Sequence, residues 1–272
     1  MNVCRRSPET TTVFGVRFHN VTFNEAVEWI IERAQSRTPA YVATANMDFV
    51  MRAWRDPSFR QLLMRSKLVV ADGMPIVKCS SLFGARLKER VTGSDLTPML
   101  AEAARDVGLS VFALGGAPGV ADQAMRTLQE QYPGLKVAGT YSPPLADIDQ
   151  MDNDPILQLL EETRPDILLV AFGAPKQEQW VHQHLGHWQV PVAIGVGGTL
   201  DFIAGVQSRA PRWTQRAGLE WLWRMARNPR RLAARYGANL RFLLVYFLKL
   251  GVARGLHHPD PIPDAFDLAL EP

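Results

Sequence analysis

The sequence predicts an α/β protein: a mainly parallel sheet with helices on both faces, Rossmann-like, followed by a helical C-terminal appendage. Three observations carry this. Short apolar runs recur at "YVATA" (41–45), "KLVVA" (67–71), "SVFALG" (110–115), "LKVAGTY" (135–141), "DILLVAFG" (166–173) and "VPVAIGVGG" (190–198). Between them lie stretches with helical periodicity at 22–35, 96–107, 120–131, 155–163 and 176–185. After Gly205 the strand-like runs stop and only helical patterns remain. Short buried strands alternating with helices form parallel sheets, because each crossover needs a helix to return the chain to the same edge.

Taken in order, the elements carry local signals of their own. Thr22 precedes Phe23 and has Glu25 three residues on, which suits a capping box at the first helix. "YVATA" runs into "TANMDFV", where Asn46 caps the next helix or, with Thr44, hydrogen-bonds a ligand. "KLVVA" ends at Asp72-Gly73: Gly73 permits a tight turn, and Asp72 is either a turn residue or a carboxylate held at the strand's mouth. In "RLKERVTGSDL", Arg90 precedes a further helix start; it forms a surface ion pair, or orients that carboxylate or a phosphate. "SVFALG" opens into "GGAPGVADQA", where Gly115 and Gly116 turn the chain toward a helix N-terminus suited to an anion. "DILLVAFG" opens into "GAPKQEQW": Gly173 turns, Pro175 suits a first helical turn, and Lys176 and Gln177 project toward a ligand while Glu178 and Gln179 face solvent. "VPVAIGVGG" opens into "GGTLDFIAG", where Gly197 and Gly198 allow close backbone approach and Asp201 adds a carboxylate. Ligands of open parallel sheets sit at the carboxyl ends of the strands. Five of the six strand ends carry glycine or polar residues there, and one ligand with phosphates, a sugar and a base accounts for them together.

Composition sets the class. Hydrophobic residues are 47% of 272 and charged residues 21%, a globular balance that excludes a disordered chain. The opening "MNVCRRSPETTT" has no apolar core of a signal peptide, and no run approaches the ~20 apolar residues of a spanning helix. Cys4 and Cys79, far apart, suit a reducing compartment, with Cys79 a small buried hydrophobe. Residues 206–255 hold eleven Lys and Arg against Glu220, a net of +10, while the remainder carries −7. Such asymmetry points to an anionic partner. The chain divides into an α/β body (1–205), a basic helical appendage (206–255) and a flexible tail rich in Pro and Asp (256–272). His182, His184 and His187 read as a surface helix end rather than a metal site.

The motifs "TANMDFV", "ADGMPIV", "ERVTGSDL", "LGGAPGVA", "AFGAPKQEQW", "GVGGTLDFIAG", "RAPRW" and "GLEWLWR" stand in an order that resembles the WecG/TagA/CpsF glycosyltransferases, over about Val13 to Tyr246. The resemblance implies an inverting transfer of a hexose or N-acetylhexosamine from a UDP-sugar to a polyprenyl-diphosphate-linked sugar acceptor, in surface or exopolysaccharide biosynthesis. It implies a catalytic role for the body (1–205) and membrane targeting for the appendage (206–255). It implies Asp72 as general base, with Thr44, Asn46, Arg90 and Gln177 lining the same pocket and Asp201 at the nucleotide end. Together with the strand-end reading, Gly115, Gly116, Gly173, Lys176 and Gly198 complete the UDP-sugar site. Arg224, Arg231 and Arg235 match appendage arginines that meet the acceptor diphosphate or the membrane. UDP-sugar is a substrate, no cofactor is expected, and the family has no Asp-x-Asp metal motif. A cytoplasmic enzyme attached peripherally to the inner face of the membrane follows, with an anionic lipid surface as partner and a homo-oligomer possible through the body.

Two other classes have specific points against them. An NAD-dependent oxidoreductase shares the strand and helix pattern, but no G-x-G-x-x-G turn follows the first strand of the sheet. A nucleic-acid-binding protein would use the basic end, but there the charges interleave with Trp and Leu on helices that read as packed.

Overall fold

The computed structural model describes residues 8–84, 86–186, 188–208, 210, 214, 223 and 237–248. Six strands form one sheet: β3 (Ala40–Ala45), β4 (Leu68–Ala71), β5 (Ser110–Gly115), β6 (Lys136–Tyr141), β7 (Ile167–Ala171) and β8 (Val192–Gly195). Their spatial order is β4-β3-β8-β7-β5-β6, and every neighbouring pair is parallel. All six residues of β3, and all four of β4 and of β8, are buried, because helices cover both faces.

Alternation along the strands divides the core. Tyr41, Ala43 and Ala45 point to one face, which is covered by α2 (Met47–Arg55), α3 (Pro57–Arg65), α4 (Met74–Ser80), α7 (Asp154–Thr163) and α8 (Lys176–His184). Ala40 and Val42 point to the other, covered by α1 (Phe23–Gln35), α5 (Gly93–Val107), α6 (Val120–Gln131) and α9 (Thr199–Ile203). The chain after β3 therefore leaves on one face and the chain after the adjacent β8 on the other. Diverging exits of this kind open a crevice at the carboxyl ends of the two strands.

The strands and helices expected before Gly205 are all present, β5 and α6 to the residue, while most of 206–236 lies outside the described residues. The capping box forms as expected: Thr22 accepts from Glu25 N–H, and the Glu25 carboxylate accepts from Thr22 N–H at 2.8 Å. Three further features add to the pattern. The antiparallel hairpin β1 (Thr10–Val13) and β2 (Val16–His19) turns at Phe14 and Gly15, both at positive φ. This is the backbone that a two-residue hairpin turn requires. The α2–α3 pair breaks at Asp56-Pro57, where the Asp56 carboxylate accepts from Ser58 N–H at 2.9 Å and caps α3. The short α4 follows Gly73 directly.

A helix spans 237–248, here α10, as the appendage reading expects. It buries Phe242 and Tyr246 in the same core cluster as Phe14, and both rings meet Phe14 edge-on at 6.0 and 5.0 Å. The tail 256–272 lies outside the described residues.

Candidate active site

Because the sheet is parallel, all strand ends share one rim. In spatial order it carries Asp72 after β4, Asn46 after β3, Gly197–Asp201 after β8, Gly173–Gln177 after β7 and Gly115–Gly116 after β5. At about 4.8 Å per strand, Asp72 stands about 10 Å from the β8 turn and about 19 Å from the β5 turn. The rim gathers the predicted body residues into one row, with the candidate base near one end.

Asp72 is partly exposed, and its N–H donates to Ala45 O at 2.9 Å, which pins it to β3. Val91 N–H donates to Ala71 O at 3.0 Å. This bond lays the segment before α5 along the end of β4 and brings the Arg90 backbone beside Asp72. Thr44 is buried and donates its hydroxyl to Gly195 O at 2.9 Å, joining the two strands that border the crevice. Asn46 is the N-cap of α2, its side-chain oxygen accepting from Asp48 N–H at 2.9 Å and Phe49 N–H at 3.4 Å. The capping alternative is thus realised.

Gly115 and Gly116 both take positive φ, and a Cβ at Gly115 would lie 2.9 Å from the Ala171 carbonyl. Strand packing alone therefore requires glycine at 115, whatever binds there. Gly198 differs: its φ is −75°, it is exposed, and the nearest atom to a Cβ would be Asp201 Oδ2 at 3.7 Å. Asp201 sits in the first turn of α9 and accepts from the Gln207 amide at 3.2 Å, and burial raises its carboxyl above the usual range.

The helix start after β7 departs from expectation. Gln177 does not project toward a ligand: it is 2% exposed, and its oxygen accepts from Gly173 N–H and Gly197 N–H, each at 3.2 Å. Its nitrogen donates to Glu178 Oε1 at 2.7 Å. Glu178 does not face solvent: it is fully buried and also accepts from the Tyr41 hydroxyl at 2.7 Å. Burial raises the Glu178 carboxyl, against the lowering effect of these hydrogen bonds and of Arg52. The peptide before Pro175 is cis, and Gln177 and Glu178 in the first turn of α8 are both buried. Lys176 donates to Ala146 O, and its ammonium lies 5.3 Å from the Phe172 ring. It ties the loop after β6 to the rim, and burial lowers its pKa.

Two histidines also depart from the surface reading. His182 packs edge-on against Tyr41 at 5.4 Å, and burial lowers its pKa. His184 bonds Trp180 O at 2.8 Å, while His187 lies outside the described residues. Cys79 is half-buried rather than buried, and burial raises its thiol pKa. The chain contains two Asp-x-Asp strings, Asp147–Asp149 and Asp152–Asp154, both between β6 and the body of α7. Among the described residues no three His, Cys, Asp or Glu side chains are grouped to hold a metal ion. Arg224, Arg231 and Arg235 lie outside the described residues.

Fold and rim together define an α/β enzyme with its polar crevice at the carboxyl ends of a parallel sheet. The chain matches the model of the Glycosyl transferase WecG/TagA/CpsF family over residues 11–254 and belongs to that family of glycosyltransferases. It is 28% identical over 252 residues to N-acetylglucosaminyldiphosphoundecaprenol N-acetyl-beta-D-mannosaminyltransferases of Staphylococcus aureus strains MRSA252, MW2 and NCTC 8325, covering 92% of this chain and 95% of each relative.

Proposed function

We propose that this glycosyltransferase moves a hexose or N-acetylhexosamine from a UDP-sugar to a polyprenyl-diphosphate-linked sugar, with inversion, in surface or exopolysaccharide biosynthesis. The observation that carries the reading is Asp72 on the rim, two strands from the glycine turn of β8, in a chain of this family. The Asp72 carboxylate takes the proton of the acceptor hydroxyl as its oxygen attacks the anomeric carbon. The bond from that carbon to the UDP oxygen breaks, and the electron pair leaves with UDP. Attack from the side opposite the leaving group inverts the centre. Arg90 supplies positive charge beside the carboxylate, and backbone N–H groups at the strand ends face the departing diphosphate.

The relatives' names support the lipid-linked diphosphate acceptor and a transferred N-acetylhexosamine. The undecaprenol in those names fits a lipid-linked acceptor held at a membrane surface, and the reading places the enzyme at the inner face of the cytoplasmic membrane. No described helix is long and apolar enough to cross a membrane. Attachment instead falls to the basic segment and to the outer face of α10, where Leu240, Leu244 and Leu248 are 69, 60 and 61% exposed at four-residue spacing.

The test is Asp72→Ala. Loss of a general base lowers transfer by roughly 10²–10⁴-fold, while UDP binding measured by calorimetry stays near the wild-type value. Full activity in that variant removes Asp72 from the role.

A further inference from the structure

The only buried carboxyl group near the rim among the described residues is Glu178, and the transfer reaction as written does not use it. Its surroundings are ordered around one atom. Oε1 accepts from the Tyr41 hydroxyl and from the Gln177 amide nitrogen, both at 2.7 Å, whereas Oε2 is buried with no hydrogen-bond partner. Tyr41 comes from the middle of the sheet, one strand from β8. Both the Tyr41 hydroxyl and the Gln177 amide cross directly above Gly195, where any Cβ would overlap them. With its nitrogen engaged by Glu178, Gln177 can present only its oxygen in the opposite direction. That oxygen receives N–H groups from Gly173 and Gly197, which begin the turns after β7 and β8. Both glycines take positive φ, and no neighbour lies within 4 Å of where a Cβ would stand. No side chain packs where either Cβ would stand, and beyond the last ladder bond, Val196 N–H to Val170 O at 2.9 Å, the shared oxygen links the two turns.

We propose that Glu178, gripped by Tyr41, is a positioning residue for donor binding: it fixes the amide orientation of Gln177 and so holds the Gly173 and Gly197 turns at the spacing that receives the nucleotide-sugar. This rests on the UDP-sugar reading. A bare hydrogen-bond count would value these contacts as ordinary core bonds. Their arrangement in series, from β3 through α8 to two rim turns, gives them a consequence at the site.

Glu178→Leu removes the shared acceptor at similar volume. In the full-length variant, amide exchange at Gly173 and Gly197 should quicken by about ten-fold or more, while exchange in β3 and β5 stays slow. UDP binding by calorimetry should weaken, and the donor KM should rise, by about ten-fold, with kcat less affected. Glu178→Gln keeps an acceptor for both donors and should restore most of the donor affinity. If Glu178→Leu fails to fold, a charge-swapped pair takes its place. Gln177→Glu sets two carboxyls face to face and should weaken UDP binding, and adding Glu178→Gln rebuilds a donor–acceptor pair and should recover it. Unchanged exchange at both glycines in the Leu variant, or no recovery in the swapped pair, overturns the proposal. Quickened exchange in the Glu178→Leu variant, together with a wild-type protein that does not bind UDP at all, would instead overturn the UDP-sugar reading and leave the linkage standing.

Discussion

Gly195 and Gly198, three residues apart at the end of β8, obey different constraints. Gly195 lies in the sheet beneath the Tyr41 hydroxyl and the Gln177 amide, with no room for a methyl group. Gly198 has ordinary backbone and open space above it. Gly195→Ala should therefore cost roughly 1–3 kcal/mol of stability through overpacking, read as a lower urea midpoint. Gly198→Ala should leave stability within about 0.5 kcal/mol but raise the donor KM, because its Cβ enters the space above the turn. A Gly198→Ala enzyme with an unchanged donor KM would move the donor away from the β8 turn. At this scale the sequence showed three glycines in "GVGG" and nothing to separate Gly195 from Gly198. The difference comes from Tyr41, more than 150 residues away in the chain.

Among the elements, α10 has two opposed faces. Phe242 and Tyr246 are buried against Phe14 and Trp54, and the Trp54 ring meets them at 5.6 and 5.4 Å. Removing the segment would strip these rings from the body, so a deletion would test folding as much as membrane attachment. The exposed leucines are separable from that packing. Replacing Leu240, Leu244 and Leu248 together by Ser should leave the thermal unfolding profile near wild type. Each inserted leucine contributes on the order of 1 kcal/mol or more, so flotation with phosphatidylglycerol vesicles should fall by about 100-fold. Undiminished flotation would assign attachment to the arginines alone.

The molecule as a whole has to cover the outer edge of β4, an edge strand with unpaired backbone groups. The hairpin does this: His19 Nδ1 accepts from Val69 N–H at 2.9 Å, and Val91 takes the Ala71 carbonyl beyond it. His19 is neutral there, its pKa lowered to about 4 by burial first and by the nearby Arg17 charge second. A depressed histidine pKa favours the unprotonated folded form. Its contribution to stability is complete above the unfolded value of about 6.5 and is lost as the pH falls toward 4. His19 should account for roughly 2 kcal/mol of the stability lost between pH 7 and pH 5. His19→Asn keeps an acceptor without a proton to gain, so its urea midpoint should fall less over that interval. Parallel pH dependence in the two proteins would show that His19 does not titrate in this range.

The sheet was legible in the sequence because burial on both faces leaves continuous apolar runs, and each intervening helix repeats its own period. The row of strand ends was legible for the same reason, since parallel strands must all end on one edge. Thr22 and Asn46 were legible as caps because capping acts within three residues. The roles of Gln177 and Glu178 were not. In "KQEQW" Gln177 reads as ligand-facing and Glu178 as solvent-facing, and only the packing of α8 on the sheet and the Tyr41 hydroxyl make them interior. The hairpin's docking through His19 was equally hidden, since one imidazole accepting one distant N–H leaves no periodic trace. Local periodicity and capping carry secondary structure and its order. Which buried polar atoms meet across the sheet depends on contacts between distant segments, and those form only when the two faces close.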